Sequence, residues 1–454
     1  MDRLLEPGSG LEAAIGMKLP GHKSFLSAVF WNWALMAVSL PVSMATAVVV
    51  ARWLGPAGKG ELALATTVGT LLFLALSLGV PVSLSYYLSG GRLPEGALVK
   101  TAITLAGALS AAAILTAALL DRSGWCQFVF GSPRLSRTAW IIVGALPFQF
   151  LGTFLQFVIL AQGRRVLFAA LPVVGTLVAA LLTGLLAWSN LLTPPSAAAA
   201  QAVSHLATAS ILLVCVGRRV AWWRSPAAGV WKALVRYSSA TYVAQNLQFL
   251  IQRVDVFLVS AMLDYRAVGL YAVAFGIAEL LLLLPQRFGA LYLSRVAGDR
   301  SPEGKAQEVA VSCSLVVVGT VVAAAALSAG APFAIRFFYG DGFAGSVTPF
   351  LLLLPGVCGL AASSVQGAYL SGIGKVNTYA ATAAAGLALN VALNLTLIPR
   401  YGLSGAAVAS SLAYCAQAFL LIRAVARLTR ARPLAMLTSA PPAVVFGLLK
   451  RAFR

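Results

Sequence analysis

The sequence predicts an all-α polytopic membrane protein of about twelve transmembrane helices in two six-helix lobes. Three observations carry that prediction. Apolar residues make up 60% of the 454 positions and charged residues only 10%, with a mean hydropathy of +0.88. The apolar residues gather into blocks of roughly 20, the length that crosses a ~30 Å hydrocarbon core. Segments of the first half also recur in the second at a nearly constant offset. The net charge of +20 would suggest nucleic acid in a soluble chain. Here the basic residues fall between the apolar blocks, where topology accounts for them, so no nucleic-acid partner is expected.

Residues 1–23 contain Pro7, Gly8, Gly10, Pro20 and Gly21 and read as a cytoplasmic or interfacial arm. Ala45-Thr46-Ala47 resembles a signal-peptide cleavage site, but the apolar stretch before it, 25–44, is longer than a signal h-region and further spans follow. It is therefore read as the first helix. Blocks of spanning length place helices at 24–51, 62–85, 98–120, 138–160, 167–189 and 197–217, an N-terminal lobe of 24–217. A second set at 238–262, 268–293, 308–330, 346–370, 378–398 and 404–427 makes a C-terminal lobe of 238–427. Between them, 218–237 is a basic, Trp-rich cytoplasmic connector with Arg218, Arg219, Arg224, Lys232 and Arg236 among Trp222, Trp223 and Trp231. That mixture suits a surface of anionic membrane lipids. The tail, 428–454, is apolar, yet Pro441-Pro442 would break a thirteenth span and Lys450, Arg451 and Arg454 would be carried to the wrong side. It reads as cytoplasmic or interfacial.

Orientation follows from the basic residues. Arg253 and Arg287 lie inside apolar blocks, and eight others (Arg52, Lys59, Arg122, Arg134, Arg137, Arg266, Arg336, Arg400) fall on one side. The remaining 23 of the 33 Lys and Arg fall on the side of the termini, which places both termini in the cytoplasm. The five cysteines are scattered, without CxxC or Cys/His spacing, so neither a disulfide framework nor a metal site is expected, and no cofactor is implied.

Three anchors define the repeat. LGPAGKGELALA (54–65) aligns with LDYRAVGLYAVA (263–274) at an offset of 209, and AQGRRVLFAA (161–170) aligns with GIGKVNTYAA (372–381) at 211. A weaker pairing sets 196–204 beside 404–412. With an even number of spans in each half, the lobes enter the membrane in the same direction, related by a pseudo-two-fold along the membrane normal. Repeats of that kind build alternating-access transporters, with the substrate path between the lobes.

ARWLGPAGKGELALA, RVDVFLVSAMLDYRAVGLYAVAFGIAELLLLLP, LSGIGKVNTY and NVALNLTLIPRYGLSGAAVA resemble the polysaccharide-transporter and O-antigen flippase (Wzx-type) branch of the multidrug/oligosaccharidyl-lipid/polysaccharide exporter superfamily. The resemblance spans 25–427. It implies a bacterial inner-membrane protein of V shape, like the superfamily's multidrug exporters, that moves a polyprenyl-pyrophosphate-linked oligosaccharide between leaflets for surface polysaccharide or lipopolysaccharide synthesis. It implies no covalent chemistry and so no enzyme. A coupling ion, proton or sodium, and partnership with a polysaccharide polymerase and glycosyltransferases fit the same reading. Lipid II flippases of the superfamily generally carry fourteen helices. Its drug exporters often place a carboxylate inside the N-terminal lobe, whereas helices one to six here have none in their interiors, Glu61 lying at a helix mouth. An ion-coupled exporter and a non-transporting scaffold for polysaccharide assembly remain the competing readings.

Four ionisable residues fall within helices seven and eight: Arg253, Asp255, Glu279 and Arg287. A charge at mid-membrane depth is unfavourable by about 2.5–3.5 kcal/mol, so these side chains must face protein or water. At about 100° per residue, Gln245, Gln248, Gln252 and Asp255 share one arc of helix seven, and Tyr242, Asn246 and Arg253 share another about 120° away. One arc lines the substrate cavity; the other makes a polar contact inside its own lobe. Arg253 is the candidate ligand for pyrophosphate or an acidic sugar, with Glu279 or Asp255 holding it in the empty site; the alternative is a permanent Arg253–Glu279 ion pair. Arg287, nearer the cytoplasm, is a further pathway candidate or a snorkelling side chain, and Pro285 a candidate hinge. Arg164 and Lys375 are inner-entrance candidates that the positive-inside rule also explains. Trp31, Asn32 and Trp33 are candidates for sugar contact, His205 reads as a packed or hydrogen-bonded residue, and Asn390 and Asn394 as bonding across helices. Small residues from 404 to 411 suit close helix packing.

Overall fold

A computed structural model describes residues 22–89, 91–124, 126–127, 135–220, 229–297, 306–430 and 432–439, the side chains of 22–34, 165, 237–241, 290, 291, 294, 295, 297, 306 and 435 excepted. The helices are α1 (His22–Ser77), α2 (Val80–Ser89), α3 (Glu95–Arg122), α4 (Arg137–Ala161), α5 (Arg165–Trp188), α6 (Pro194–Gly217), α7 (Val230–Met262), α8 (Tyr265–Glu279), α9 (Leu283–Ala297), α10 (Ala306–Tyr339), α11 (Val347–Gly372), α12 (Val376–Thr429) and α13 (Ala435–Thr438). Two 3-10 turns, Leu280–Leu282 and Asp341–Ser346, complete the described elements.

Among the described residues, nine helices are long and apolar enough to cross a membrane. Two of them, α1 and α12, each bend at a glycine: Gly55 (φ 64°, ψ −179°) and Gly402 (φ 55°, ψ −134°). Side chains beyond glycine rarely adopt such backbone. α7, which carries glutamines and charges along its length, is not among the nine.

Local chemistry sets several boundaries. Ser136 caps α4 by accepting from the Ala139 amide, Thr193 and Ser196 cap α6 reciprocally, and Asp264 caps α8 by accepting from the Ala267 amide at 2.7 Å. Pro285 has no N–H for the carbonyl four residues back, and the chain tightens into 3-10 geometry at Leu280–Leu282, dividing α8 from α9. α7 begins at Val230, inside the stretch read as connector; of that connector, 221–228 lie outside the described residues, as does the tail beyond 439.

The second expected helix is not continuous. It breaks between α1 and α2, where Leu78 (φ 49°) and Gly79 (φ 68°) are left-handed. Leu74 and Ala75 thereby lose the regular partners of their carbonyls. Tyr242 of α7 donates to the Ala75 carbonyl, and that of Leu74 accepts from the Ser77 hydroxyl at 3.0 Å and from Asn246 of α7 at 3.5 Å, so the opposite lobe shares in satisfying the unwound turn.

The repeat is written into the backbone. At the end of α4, Gly163 (φ 76°) closes a Schellman turn in which Arg164 N–H reaches Ile159 O and Gly163 N–H reaches Leu160 O. At the end of α11, Gly374 (φ 77°) does the same, with Lys375 N–H to Leu370 O and Gly374 N–H to Ser371 O. Every position is displaced by 211 residues. Val158 and Tyr369, at that same offset, anchor separate apolar clusters, each belonging to one lobe. A third cluster runs through both lobes.

The lobes are joined chiefly where α1 crosses α8. A Cβ on Gly60 would lie 1.8 Å from the Tyr265 carbonyl oxygen, and one on Gly269 would lie 1.9 Å from that of Pro56, so only glycine permits the approach. Beside this crossing, the Arg52 guanidinium donates to the carbonyls of Phe337 and, at 2.7 Å, Phe338.

Candidate substrate pathway between the lobes

The second arm of α1, the middle of α7 and the first half of α8 enclose a cavity of about 280 Å³ between the lobes. Lys59, Thr66, Thr67 and Thr70 line it from the N-terminal lobe, with Gln201 of α6; Phe249, Arg253 and Phe275 line it from the C-terminal lobe. The threonine hydroxyls donate to carbonyls of their own helix, Thr67 to Ala63 at 2.7 Å and Thr70 to Thr66 at 2.8 Å. Their lone pairs and methyl groups are what the cavity meets.

Arg253 is the centre of this wall. Its Nη2 donates to both carboxylate oxygens of Glu279, at 3.0 and 2.8 Å, and the guanidinium lies 4.6 Å from the centre of the Phe275 ring. The ring face and the carboxylate hold the plane of the cation. The pair is not sealed: the Arg253 and Glu279 side chains are 27% and 38% exposed. Among the described residues Nε and Nη1 of Arg253 have no partner, and neither does Lys59. Two cations and one carboxylate therefore border a threonine-lined space, an arrangement suited to an anion.

Asp255 does not reach this space. It is fully buried in the C-terminal lobe, accepting from the Val256 amide at 2.8 Å, the Ser410 hydroxyl at 2.9 Å and the Tyr271 hydroxyl. It lies on the same face of the continuous α7 as the glutamines, but Tyr271 of α8 and Ser410 of α12 close over it. Of the two carboxylates considered as Arg253's holder, Glu279 is the one in contact.

The two polar arcs of α7 separate as cavity wall and intralobe contact, and Gln245, Gln248 and Gln252, pathway candidates by sequence together with Arg253, fall on the intralobe side because of how α7 is rolled against its neighbours. Tyr242, Asn246 and Arg253 face the other lobe. Gln245, Gln248 and Gln252 line a cavity of about 400 Å³ inside the C-terminal lobe, where Gln248 also accepts from Gln417 at 2.7 Å. Arg287 is exposed, as a snorkelling side chain would be. Arg164 and Lys375 sit at matching N-caps of α5 and α12, Arg164 with a buried, unpartnered Nη1 and Lys375 exposed. The side chain of Asn32 lies outside the described residues. Asn390 bonds across helices, donating to Ile251 O at 2.9 Å, and Asn394 donates back to Asn390 O.

A third cavity, about 480 Å³, lies inside the N-terminal lobe between α1, α4, α5 and α6. His205 lines it rather than packing in the core. The two intralobe cavities are repeat-related: Ser43, Gln149, Gly152, Thr153 and Gln156 of one correspond to Gln252, Leu360, Ser363, Ser364 and Gly367 of the other. Lys59 and Gln201 were not anticipated from the sequence. Lys59 looks like one of the loop cations until the bend at Gly55 turns it inward.

Residues 25–297 match the family described as "Polysaccharide biosynthesis protein". No curated protein matches the chain. Among solved structures, the fold is similar to an inward-facing multidrug resistance MATE family transporter of the MOP superfamily, with a TM-score of 0.70 at 14% identity over 90% of this chain and 96% of that one. It is similar to the lipid II flippase MurJ in an inward closed conformation, with a TM-score of 0.69 at 14% identity over 93% and 90% of the two chains. It is also similar to a MOP superfamily transporter from Pyrococcus furiosus described as having a binding pocket of reversed polarity, with a TM-score of 0.61 at 14% identity over 92% and 96%. The family match covers more than half of the sequence, and the chain belongs to the polysaccharide biosynthesis protein family, a multi-pass membrane protein with the fold of MOP superfamily transporters.

Proposed function

We propose that the protein is a flippase that moves polyprenyl-pyrophosphate-linked oligosaccharide across a bacterial inner membrane, in the manner of a Wzx-type transporter, by alternating access of the lobes 24–217 and 238–427. The observation that carries the reading is the between-lobe cavity bordered by Arg253 and Lys59, two cations positioned for a pyrophosphate. Glu279 neutralises Arg253 while the site is empty and yields it when the anion arrives; a carboxylate released in this way is also the group to take up a coupling proton. At about 280 Å³ the cavity has room for the phosphate-sized part of such a molecule but not for its glycan, so the lobes must part.

Both termini and the basic connector lie in the cytoplasm in this reading, and the Gly60–Gly269 crossing closes the outer end of the path. Glycosyltransferases supply the lipid-linked glycan on the inner leaflet and a polymerase consumes it on the outer. An exporter of cationic drugs is disfavoured because two cationic side chains, Arg253 and Lys59, line this cavity and the carboxylate beside it, Glu279, is engaged by Arg253. The test is lipid extraction from the native host with the gene deleted. Build-up of polyprenyl-pyrophosphate-linked oligosaccharide with loss of surface polysaccharide and unchanged retention of a cationic dye supports the flippase. Normal lipid-linked sugar with raised dye retention overturns it.

A further inference from the structure

We infer that the cavity inside the N-terminal lobe is the subsite for the neutral sugars of the transported glycan, an inference that rests on the flippase reading and adds to it where the carbohydrate goes. The cavity holds about 480 Å³, enough for two or three sugar rings at roughly 150–200 Å³ each. Among the described residues its lining carries no Asp, Glu, Lys or Arg; amides, hydroxyls and the His205 imidazole are set in an apolar wall that includes Phe148, Leu171, Pro172 and Leu212. Sugars present that same mixture, hydroxyls that both donate and accept and faces of C–H. Amide side chains answer the former because each carries donors and an acceptor, and an aromatic or proline face answers the latter.

Among the described residues the side chains of Gln149, Thr153, Gln201 and His205 have no hydrogen-bond partner within the protein. They are therefore available to a ligand, which a set of packed or capped residues would not be. Gln201 supplies the connection. It lines this cavity and also the cation-bordered one between the lobes, so the two spaces meet at one side chain. A pyrophosphate on Arg253 and Lys59 would place the first sugar beside Gln201 and those beyond it among Gln149 and Thr153. The repeat-related cavity of the C-terminal lobe is just as neutral, but none of its lining residues borders the cation site. Duplication gave both lobes a polar hollow, and only the N-terminal one is joined to the path.

The experiment uses the full chain in lipid nanodiscs and two probes, undecaprenyl pyrophosphate and the same lipid carrying a neutral trisaccharide. In the wild type the glycosylated probe binds about tenfold more tightly, the worth of one or two net hydrogen bonds. In Gln149→Leu, and separately in Thr153→Val, both near-isosteric, the ratio falls toward one while the affinity for bare undecaprenyl pyrophosphate is unchanged. Gln245→Leu, in the C-terminal cavity, keeps the wild-type ratio. Unchanged affinity for the bare lipid reports that each variant is folded. Equal binding of the two probes by the wild type, or a ratio preserved in both N-terminal variants, overturns the subsite while leaving the pyrophosphate site standing. Failure of the wild type to bind either probe overturns the flippase reading and this inference with it.

Discussion

Gly60 and Gly269, 209 residues apart and equivalent in the internal repeat, pack against each other's helices where the two lobes cross. Each would drive a Cβ to within 1.9 Å of the opposing backbone if it were any other residue. A side chain here has nowhere to go, because the atoms it meets are backbone carbonyls in helices. Such overpacking is unfavourable by about 1–3 kcal/mol, enough to move a conformational equilibrium by one to two powers of ten. Gly60→Ala and Gly269→Ala are expected to hold the lobes apart at this end. Spin labels placed on either side of the crossing should report a longer distance, and transport should fall while expression is retained. An unchanged distance distribution would remove the crossing from the gating scheme.

Among the described residues Arg253 and Glu279 form the ion pair that borders the path. Because both side chains are partly exposed, the pair itself is worth only about 1 kcal/mol, and Arg253→Gln should leave the melting temperature within a few degrees of wild type while abolishing transport. Glu279→Gln acts in the opposite sense on binding. It frees Arg253, so undecaprenyl pyrophosphate should bind several-fold more tightly and be released more slowly. Weaker binding in Glu279→Gln would show that the carboxylate positions the guanidinium rather than competing for it.

Asp255 makes the contrasting case. Its two oxygens are fully committed to Val256, Tyr271 and Ser410 inside the C-terminal lobe. Asp255→Ala removes the acceptor shared by Tyr271 and Ser410, leaving their hydroxyls, 3.2 Å apart, with only each other, and should destabilise the protein by about 1–3 kcal/mol, read as a lowered thermal midpoint. Affinity for substrate in the surviving folded fraction should not change. A loss of affinity at unchanged stability would return Asp255 to the pathway.

Tyr242 ties the lobes together through the unwound turn at Leu78–Gly79. Tyr242→Phe leaves the Ala75 carbonyl without its donor, an effect of about 1–3 kcal/mol that falls on the interface rather than on either lobe. Faster amide exchange at residues 78–83, with α11 and α12 unaffected, is the expected signature.

Much of this was legible in the sequence, and what was not has a physical reason. The membrane class, the duplicated halves and the charged pair in helices seven and eight follow from apolar length, offset and the unfavourability of buried charge, all local properties of the chain. The two polar arcs of α7 were visible as angles. Which arc faces the other lobe was not, since that is set by how α7 rolls against α1 and α12. Lys59 was assigned to a loop because the bend at Gly55 is a single-residue event within an apolar run. Asp255 was placed on the pathway because helical phase cannot register that Tyr271 and Ser410, distant in sequence, close over it. The repeat itself carried more than was drawn from it. Shifting Ser43 by 209 gives Gln252 and shifting Gln149 by 211 gives Leu360, so the C-terminal glutamine face points back to the N-terminal cavity.

The central claim is that this chain moves an anionic lipid-linked glycan past Arg253 and Lys59. The most direct measurement reconstitutes the wild-type protein, Arg253→Gln and Lys59→Gln in liposomes containing undecaprenyl pyrophosphate that carries a radiolabelled trisaccharide. The fraction of glycan accessible to an added glycosidase is then followed over time. Accessibility should rise from half to nearly all of the label with the wild type, and stay near half with either variant at equal reconstituted amounts. Wild-type kinetics from both variants, or no movement with the wild type while a cationic dye is transported, would contradict the account.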